Sequence, residues 1–248
     1  MPVMIGTSGW QYDDWAGAFY PEGLPKSRWL ESYSSRLATV ESNNAFYRLP
    51  TRDLFARWAD ATPTDFVMSV KASRYITHIR RLREPEDPVK LLLERTEGLG
   101  HKLGAILLQL PPTLTADPDL LAGALSCFPK EVEVTVEVRH DSWYSDETRK
   151  VLESHGAALC ITDTANRHSP LWRTAGFGYL RFHEGTAHPL PSYGRAALDR
   201  WAERIASMWS RTDRVYCYFN NDENSRAPYD AHHFALAVAR HGLEPSRG

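Results

Sequence analysis

Four valines, Val132, Val134, Val136 and Val138, alternate with polar residues in a run that ends Glu137-Val138-Arg139-His140. That period of two is the signature of a β-strand with one apolar and one polar face. Ser145 to His155 follows with helical spacing, and Ala157 to Thr162 is again β-rich. A strand–helix–strand unit implies a parallel sheet, whose strands are normally covered on both faces. If the valines pack on helices, Glu137 and Arg139 must point into an enclosed space at the C-terminal end of the strand. An unpaired charge buried there would cost several kcal/mol, so these side chains are expected to be paired, hydrated or directed at a ligand.

The same alternation recurs along the chain. Strand patterns are read at 3–7, 38–43, 66–71, 105–110, 132–138, 158–162, 178–183 and 215–219. Between and after them, helical spacing covers 27–37, 53–61, 89–102, 119–128, 145–155, 195–209 and 230–241, and Gly156 is read as a helix C-cap. The segment 170–175 between the sixth and seventh strands is poorly patterned. Eight strands, seven of them followed by a helical pattern and all spread evenly over 248 residues with no linker or repeat, predict one α/β domain over 1–248, a (β/α)8 TIM-type barrel. A doubly wound open sheet fits less well, since no Gly-x-Gly-x-x-Gly turn is present.

Composition excludes little. A net charge of -2 gives no global reason to expect nucleic acid or an acidic membrane as partner, although a local positive site stays possible. The three cysteines, Cys127, Cys160 and Cys217, form no CxxC pair and read as reduced core residues. No run approaches the ~18 apolar residues of a membrane span, and the N-terminus enters a strand at once, so a cytoplasmic location is expected.

Position along the strands points to a site. Glu41 and Asn43, Lys71, Gln109, Glu137 and Arg139, Asp163, Arg181 and His183, and Asn220 and Asn221 all fall at strand C-terminal ends, which in a barrel converge on one mouth. Glu41, Glu137 and Asp163 are candidate acids and bases, with His183 or His140 titrating near neutrality. Lys71, Arg139 and Arg181 would form a cationic pocket for a phosphate or carboxylate, with Gln109, Asn43, Asn220 and Asn221 orienting polar groups. Trp10, in a loop with Tyr12, Trp15, Phe19 and Tyr20, would be part of an aromatic wall or lid for the pocket. His78 reads as a surface residue, and Asp13, Asp14, Asp222 and Glu223 as solvated loop charges.

The ordered motifs also carry a resemblance. They are Gly6-Thr7-Ser8-Gly9-Trp10, Phe19-Tyr20-Pro21, Thr39-Val40-Glu41-Ser42-Asn43, Phe46-Tyr47-Arg48-Leu49-Pro50, Gln109-Leu110-Pro111-Pro112, Val136-Glu137-Val138-Arg139-His140, Tyr179-Leu180-Arg181-Phe182-His183 and Tyr218-Phe219-Asn220-Asn221. Together with Lys71 and Ile76-Thr77-His78 they resemble the YecE-like proteins, domain of unknown function 72, over nearly the whole chain. The resemblance implies a TIM-type barrel and no particular activity. Ala45, where the pattern tends to have Thr, and Glu184, where Gly often follows the His, depart from it.

Three functional readings follow. The first is an enzyme acting on a small anionic substrate with acid/base carboxylates and a cationic pocket, without cofactor. The second is a metal-dependent hydrolase or nuclease using Glu41, Glu137, His140, Asp163 and His183; the lack of HxH or HExxH spacing and the adjacent arginines weigh against it. The third is a non-catalytic protein that binds a metabolite.

Overall fold

A computed structural model of the chain describes residues 2–164, 167–210 and 212–247. Its strands are β1 Pro2–Ser8, β2 Thr39–Ser42, β3 Val67–Lys71, β4 Leu103–Gln109, β5 Val134–Glu137, β6 Ala158–Leu159, β7 Ile161–Thr164, β8 Arg167–His168, β9 Phe177–Phe182, β10 Arg214–Phe219 and β11 Glu244–Pro245. The helices are α1 Trp29–Ser34, α2 Asn44–Tyr47, α3 Arg52–Asp60, α4 Glu86–Thr96, α5 Pro118–Leu125, α6 Asp146–Ser154, α7 Arg195–Met208 and α8 Arg226–Arg240.

Parallel pairing runs β6-β5-β4-β3-β2-β1-β10-β9-β7. Only Cys160 separates β6 from β7, and its N–H donates to the Val136 carbonyl (2.9 Å). β6 and β7 are therefore two halves of one staggered strand, the first paired to β5 and the second to β9, and the ring closes as a TIM-type (β/α)8 barrel. One departure from strict alternation lies after β7. The chain turns back as β8, antiparallel to β7, and among the described residues no helix separates β7 from β9. The poor patterning of 170–175 is the sequence trace of that missing helix.

Local chemistry explains where the helices begin and end. Thr51, Asp117 and Ser145 each accept from a backbone N–H in the first turn of α3, α5 and α6, satisfying donors that have no partner within the helix. Gly156, at φ +62°, follows α6 in the left-handed conformation, and the Ala157 N–H returns to the Leu152 carbonyl.

Two cores result from the pleat. The larger fills the space between sheet and helices, with Ile5, Val40, Leu108, Val136, Phe182 and Phe219 facing outward from the strands. The smaller lies inside the barrel and holds Met4, Leu107, Cys160, Tyr179, Tyr216 and Tyr218 among others. Gly6 lines β1 where β2 approaches so closely that a Cβ would overlap the Thr39 carbonyl oxygen. Above the interior tyrosines, at the strands' C-terminal ends, the filling changes from apolar to charged. Among the described residues no helix is long and apolar enough to cross a membrane.

Candidate active site at the C-terminal mouth of the barrel

Arg181 of β9 is the hub. Alternation puts Tyr179, Arg181 and His183 on the inner face, and the Arg181 side chain is 2% exposed. One guanidinium nitrogen, Nη1, donates to Glu137 Oε2 at 2.5 Å. The other, Nη2, donates to Glu41 Oε1 and to Ser8 Oγ, both at 2.8 Å. Ser8 donates to the same Glu41 oxygen, and Tyr179 donates its hydroxyl to Glu41 Oε2 at 2.6 Å. Gln109 Nε2 reaches both Glu137 oxygens at 3.0 Å, and Arg139 Nε reaches Oε1 at 2.9 Å. All four carboxylate oxygens are thus engaged. Burial opposes the charge of Glu137, but Arg181, His183, Arg139 and the Gln109 amide outweigh it and hold the carboxyl well below the usual carboxylate range. The converse holds for Arg181: burial disfavours its charge, while Glu41 and Glu137 raise its proton affinity further.

Around this buried cluster runs a more open rim. His183, 13% exposed at its side chain, lies 3.9 Å from Glu137 Oε1, and Asn220 sits 3.1 Å from its Nδ1. Burial and then Arg181 push the His183 imidazole down to about 4, so it is neutral at pH 7. Asn43 donates to Ser8 Oγ (3.1 Å). Lys71 Nζ lies 4.1 Å from the centroid of the Phe46 ring, whose edge also meets His78. Burial, followed by the charge of Arg181, lowers Lys71 to about 8. His78 is likewise held below its ordinary value, by burial and then by Lys71, Arg139 and Arg74. A cavity of about 370 Å³ opens over Glu137, Arg139, Thr162, Thr164 and His183, with Pro112 and Glu184 in its wall. A neighbouring cavity of about 590 Å³ shares His183 and Glu184.

Residues 4–247 match the model of a family described as protein of unknown function DUF72. The chain belongs to the DUF72 family. It is 26% identical to the UPF0759 protein YecE of Escherichia coli (strain K12), over 93% of this chain and 90% of YecE. The crystal structure of a DUF72 family protein from Thermotoga maritima MSB8 superposes with a TM-score of 0.80 at 26% identity, covering 96% of this chain and all of the other. A DUF72 family protein from Enterococcus faecalis V583 gives the same TM-score at 20% identity, over 96% and 95% of the two chains.

In this DUF72 barrel the mouth gathers Glu41, Asn43, Lys71, Gln109, Glu137, Arg139, Arg181, His183 and Asn220 of the residues expected there. Three others go elsewhere. Asp163 accepts from the indole N–H of Trp201 on α7 (2.8 Å), which places its carboxylate on the helix side of β7. Its neighbours Thr162 and Thr164 face the cavity instead, as the phase set by interior Cys160 requires. Asn221 donates to Asp230 of α8 (2.7 Å) and to the Pro191 carbonyl, because the residue after inward-facing Asn220 points outward. Trp10 is buried edge-on against Trp58 of α3 and walls an adjoining groove of about 780 Å³, whose lining shares Asn43 with the mouth. The lid expected of its loop is instead largely packed structure. Trp15 is fully buried, donates to the Asp222 carbonyl and contacts Tyr12, Phe19 and Tyr20.

The DUF72 mouth also contains residues that strand-end position alone did not single out. Ser8 and Tyr179 are in phase with Gly6 and Arg181, so alternation could have found both. His78 is half-buried rather than on the open surface, carried inward by a π-helical turn at Tyr75–Ile79. No periodicity announces such a turn, although π-turns recur at functional sites. Among the described residues no group of three or more His, Cys, Asp and Glu side chains could hold a metal ion. The metal-hydrolase reading therefore has no donor set among them.

Proposed function

We propose that the mouth is the active site of an enzyme acting on a small anionic molecule, phosphorylated or carboxylated. The observation that carries this is the buried Glu41–Arg181–Glu137 cluster under an open polar rim. Filling the same volume with apolar side chains would be as stabilising or more so, since three desolvated charges recover in mutual attraction little more than they lose in hydration. A barrel mouth built this way holds fixed charges ready for a ligand at no cost of reorganisation.

The sign of the field supports an anion. Beyond burial, Lys71, Arg139 and Arg74 together depress His78, and on His183 Arg181 and Arg139 act in the same direction against the opposing charges of Glu137 and Glu41. Glu41 and Glu137 serve in this reading to fix Arg181 rather than to carry protons, because every carboxylate oxygen already accepts a hydrogen bond. His183, a neutral imidazole lining the cavity, is the group placed to exchange a proton with the bound molecule. The saturated carboxylates also support a second reading, a binding protein without turnover.

Titration calorimetry with inorganic phosphate and with lactate tests the proposal. We expect one site per chain, weakened in Arg139→Ala by about 1.5–3 kcal/mol, the worth of a hydrogen bond to a charged group. Absence of binding by either anion, or an unchanged affinity in the variant, would contradict it. Measurable binding with no turnover across phosphorylated and carboxylated compounds would favour the binding-protein reading.

A further inference from the structure

Two lysines of this chain are buried, and they are treated very differently. Lys102 sits at the opposite end of β4 from the mouth and donates to the carbonyls of Ala59 and Thr62 and to the Thr62 hydroxyl, at 2.6, 2.7 and 3.2 Å. Its ammonium is fully served. Lys71, 9% exposed, has no hydrogen-bond acceptor and no carboxylate within ion-pair distance among the described residues; its ammonium lies over the face of Phe46. An aromatic face replaces only part of the hydration that a buried ammonium gives up. Lys71 is therefore a destabilising residue held at the C-terminal end of β3, at the mouth end of the barrel.

We propose that Lys71 is a carbonyl-reactive amine, which forms an imine with a small 2-oxo acid bound in the mouth. The inference rests on the anionic-substrate reading above and narrows it to one chemical class. A carboxylate would be met by the rim cations, of which Arg139 is near enough for its charge to act on Lys71. The keto carbon would then be presented to the amine. An amine reacts as nucleophile only when unprotonated, and an apolar seat beside a second cation is the environment that frees it. Burial and Arg181 do this here: at about 8, Lys71 is partly free amine near neutrality, whereas an ordinary lysine is not.

The step balances without an added oxidant or reductant. The Lys71 lone pair adds to the carbonyl carbon as the C=O π pair moves to oxygen. One N–H proton passes to that oxygen, giving a carbinolamine. The hydroxyl, protonated from solvent, leaves as water, and the nitrogen lone pair closes a protonated C=N bond. The positive iminium then withdraws electrons from the adjacent carbon, which is what makes a neighbouring C–H or C–C bond breakable.

The test is reductive trapping on the full chain at pH 8, with pyruvate and cyanoborohydride, read by intact mass and peptide mapping. One lysine adduct is expected, a pyruvic acid less one oxygen atom, on the Lys71 peptide, resolved by the mapping from any at an α-amine, which titrates in the same range. The exposed Lys26, Lys90, Lys130 and Lys150 should modify on the order of ten- to a hundred-fold more slowly, from their lower free-amine fraction. Lys71→Arg keeps the charge and removes the reaction, so it should lose the adduct; lactate, which has the carboxylate but no ketone, should bind the wild-type chain. A missing adduct, or modification spread over the exposed lysines, would overturn the proposal. Lactate binding without trapping would remove only the imine, whereas loss of both would remove the anionic-substrate reading as well.

Discussion

Replacing Arg181 by methionine should be among the most damaging single changes to this chain, and its damage should depend on pH. The variant leaves Glu41 and Glu137 buried, 0% and 1% exposed, without their shared counter-ion. Removing one partner of a buried pair costs about 3–5 kcal/mol, and with Glu41 left without a cation and Glu137 left with only the partly exposed Arg139 the upper end applies. Against the roughly 5–15 kcal/mol that holds a typical domain together, about 5 kcal/mol is a large share, and for a chain of this size it corresponds to a fall in Tm of roughly 10–20 °C. In the wild type Glu137 titrates below its unfolded value, so its share of stability is present above about pH 4.5 and is lost as the pH falls towards the folded value. In the variant burial is opposed only by His183, Arg139 and Gln109, so the folded carboxyl should titrate higher than in the wild type, and the deficit should be full at neutral pH but relieved on acidification. The gap between wild type and variant should therefore narrow from pH 7 to pH 5, as followed by urea titrations across that range. Adding Glu41→Gln and Glu137→Gln to Arg181→Met should recover much of the loss. A deficit under about 1 kcal/mol, or one independent of pH, would refute the reasoning that these charges depend on one another.

Lys71→Met should have the opposite sign. Holding Lys71 at about 8 rather than 10.5 costs about 3 kcal/mol below pH 8, a penalty that fades as the pH rises to 10.5. The variant should thus be more stable than wild type in urea at pH 7, with the gap closing towards pH 10.5; equal stability at pH 7 would contradict an unserved ammonium. Trp15→Ala should cost about 3–5 kcal/mol by equilibrium unfolding, since the indole is fully buried and hydrogen-bonded to Asp222. A loss below about 1 kcal/mol would show that the aromatic loop is a cover rather than core.

What could be read from the chain beforehand follows from which forces act locally. Strand alternation is set by the pleat of a single strand, so it placed Glu41, Lys71, Gln109, Glu137, Arg139 and Arg181 inward without knowledge of any neighbour. It failed where position near a strand end was used without phase: Asp163 follows inward-facing Thr162, and Asn221 follows inward-facing Asn220, so both turn to the helices. Who pairs with whom was not legible. That Arg181 bridges Glu41 and Glu137, far from it in sequence, depends on the stagger with which the barrel closes, a property of all eight strands together. The same closure splits the sixth strand at Cys160. The π-turn that brings His78 to Phe46, and the depth to which Trp10 sinks against Trp58, are tertiary outcomes with no periodic trace.

The central claim, that this mouth receives a small anion, is tested most directly by following the imidazole resonances of the ten histidines by NMR while lactate or phosphate is added. His183 and His78 face the cations of the rim, whereas His155 and His188 are exposed elsewhere. Saturable shifts confined to His183 and His78, with the His183 titration moving upward from about 4 as the anion neutralises Arg139, are the predicted result. Silence at both, or small unsaturable shifts shared by the exposed histidines, would contradict the account.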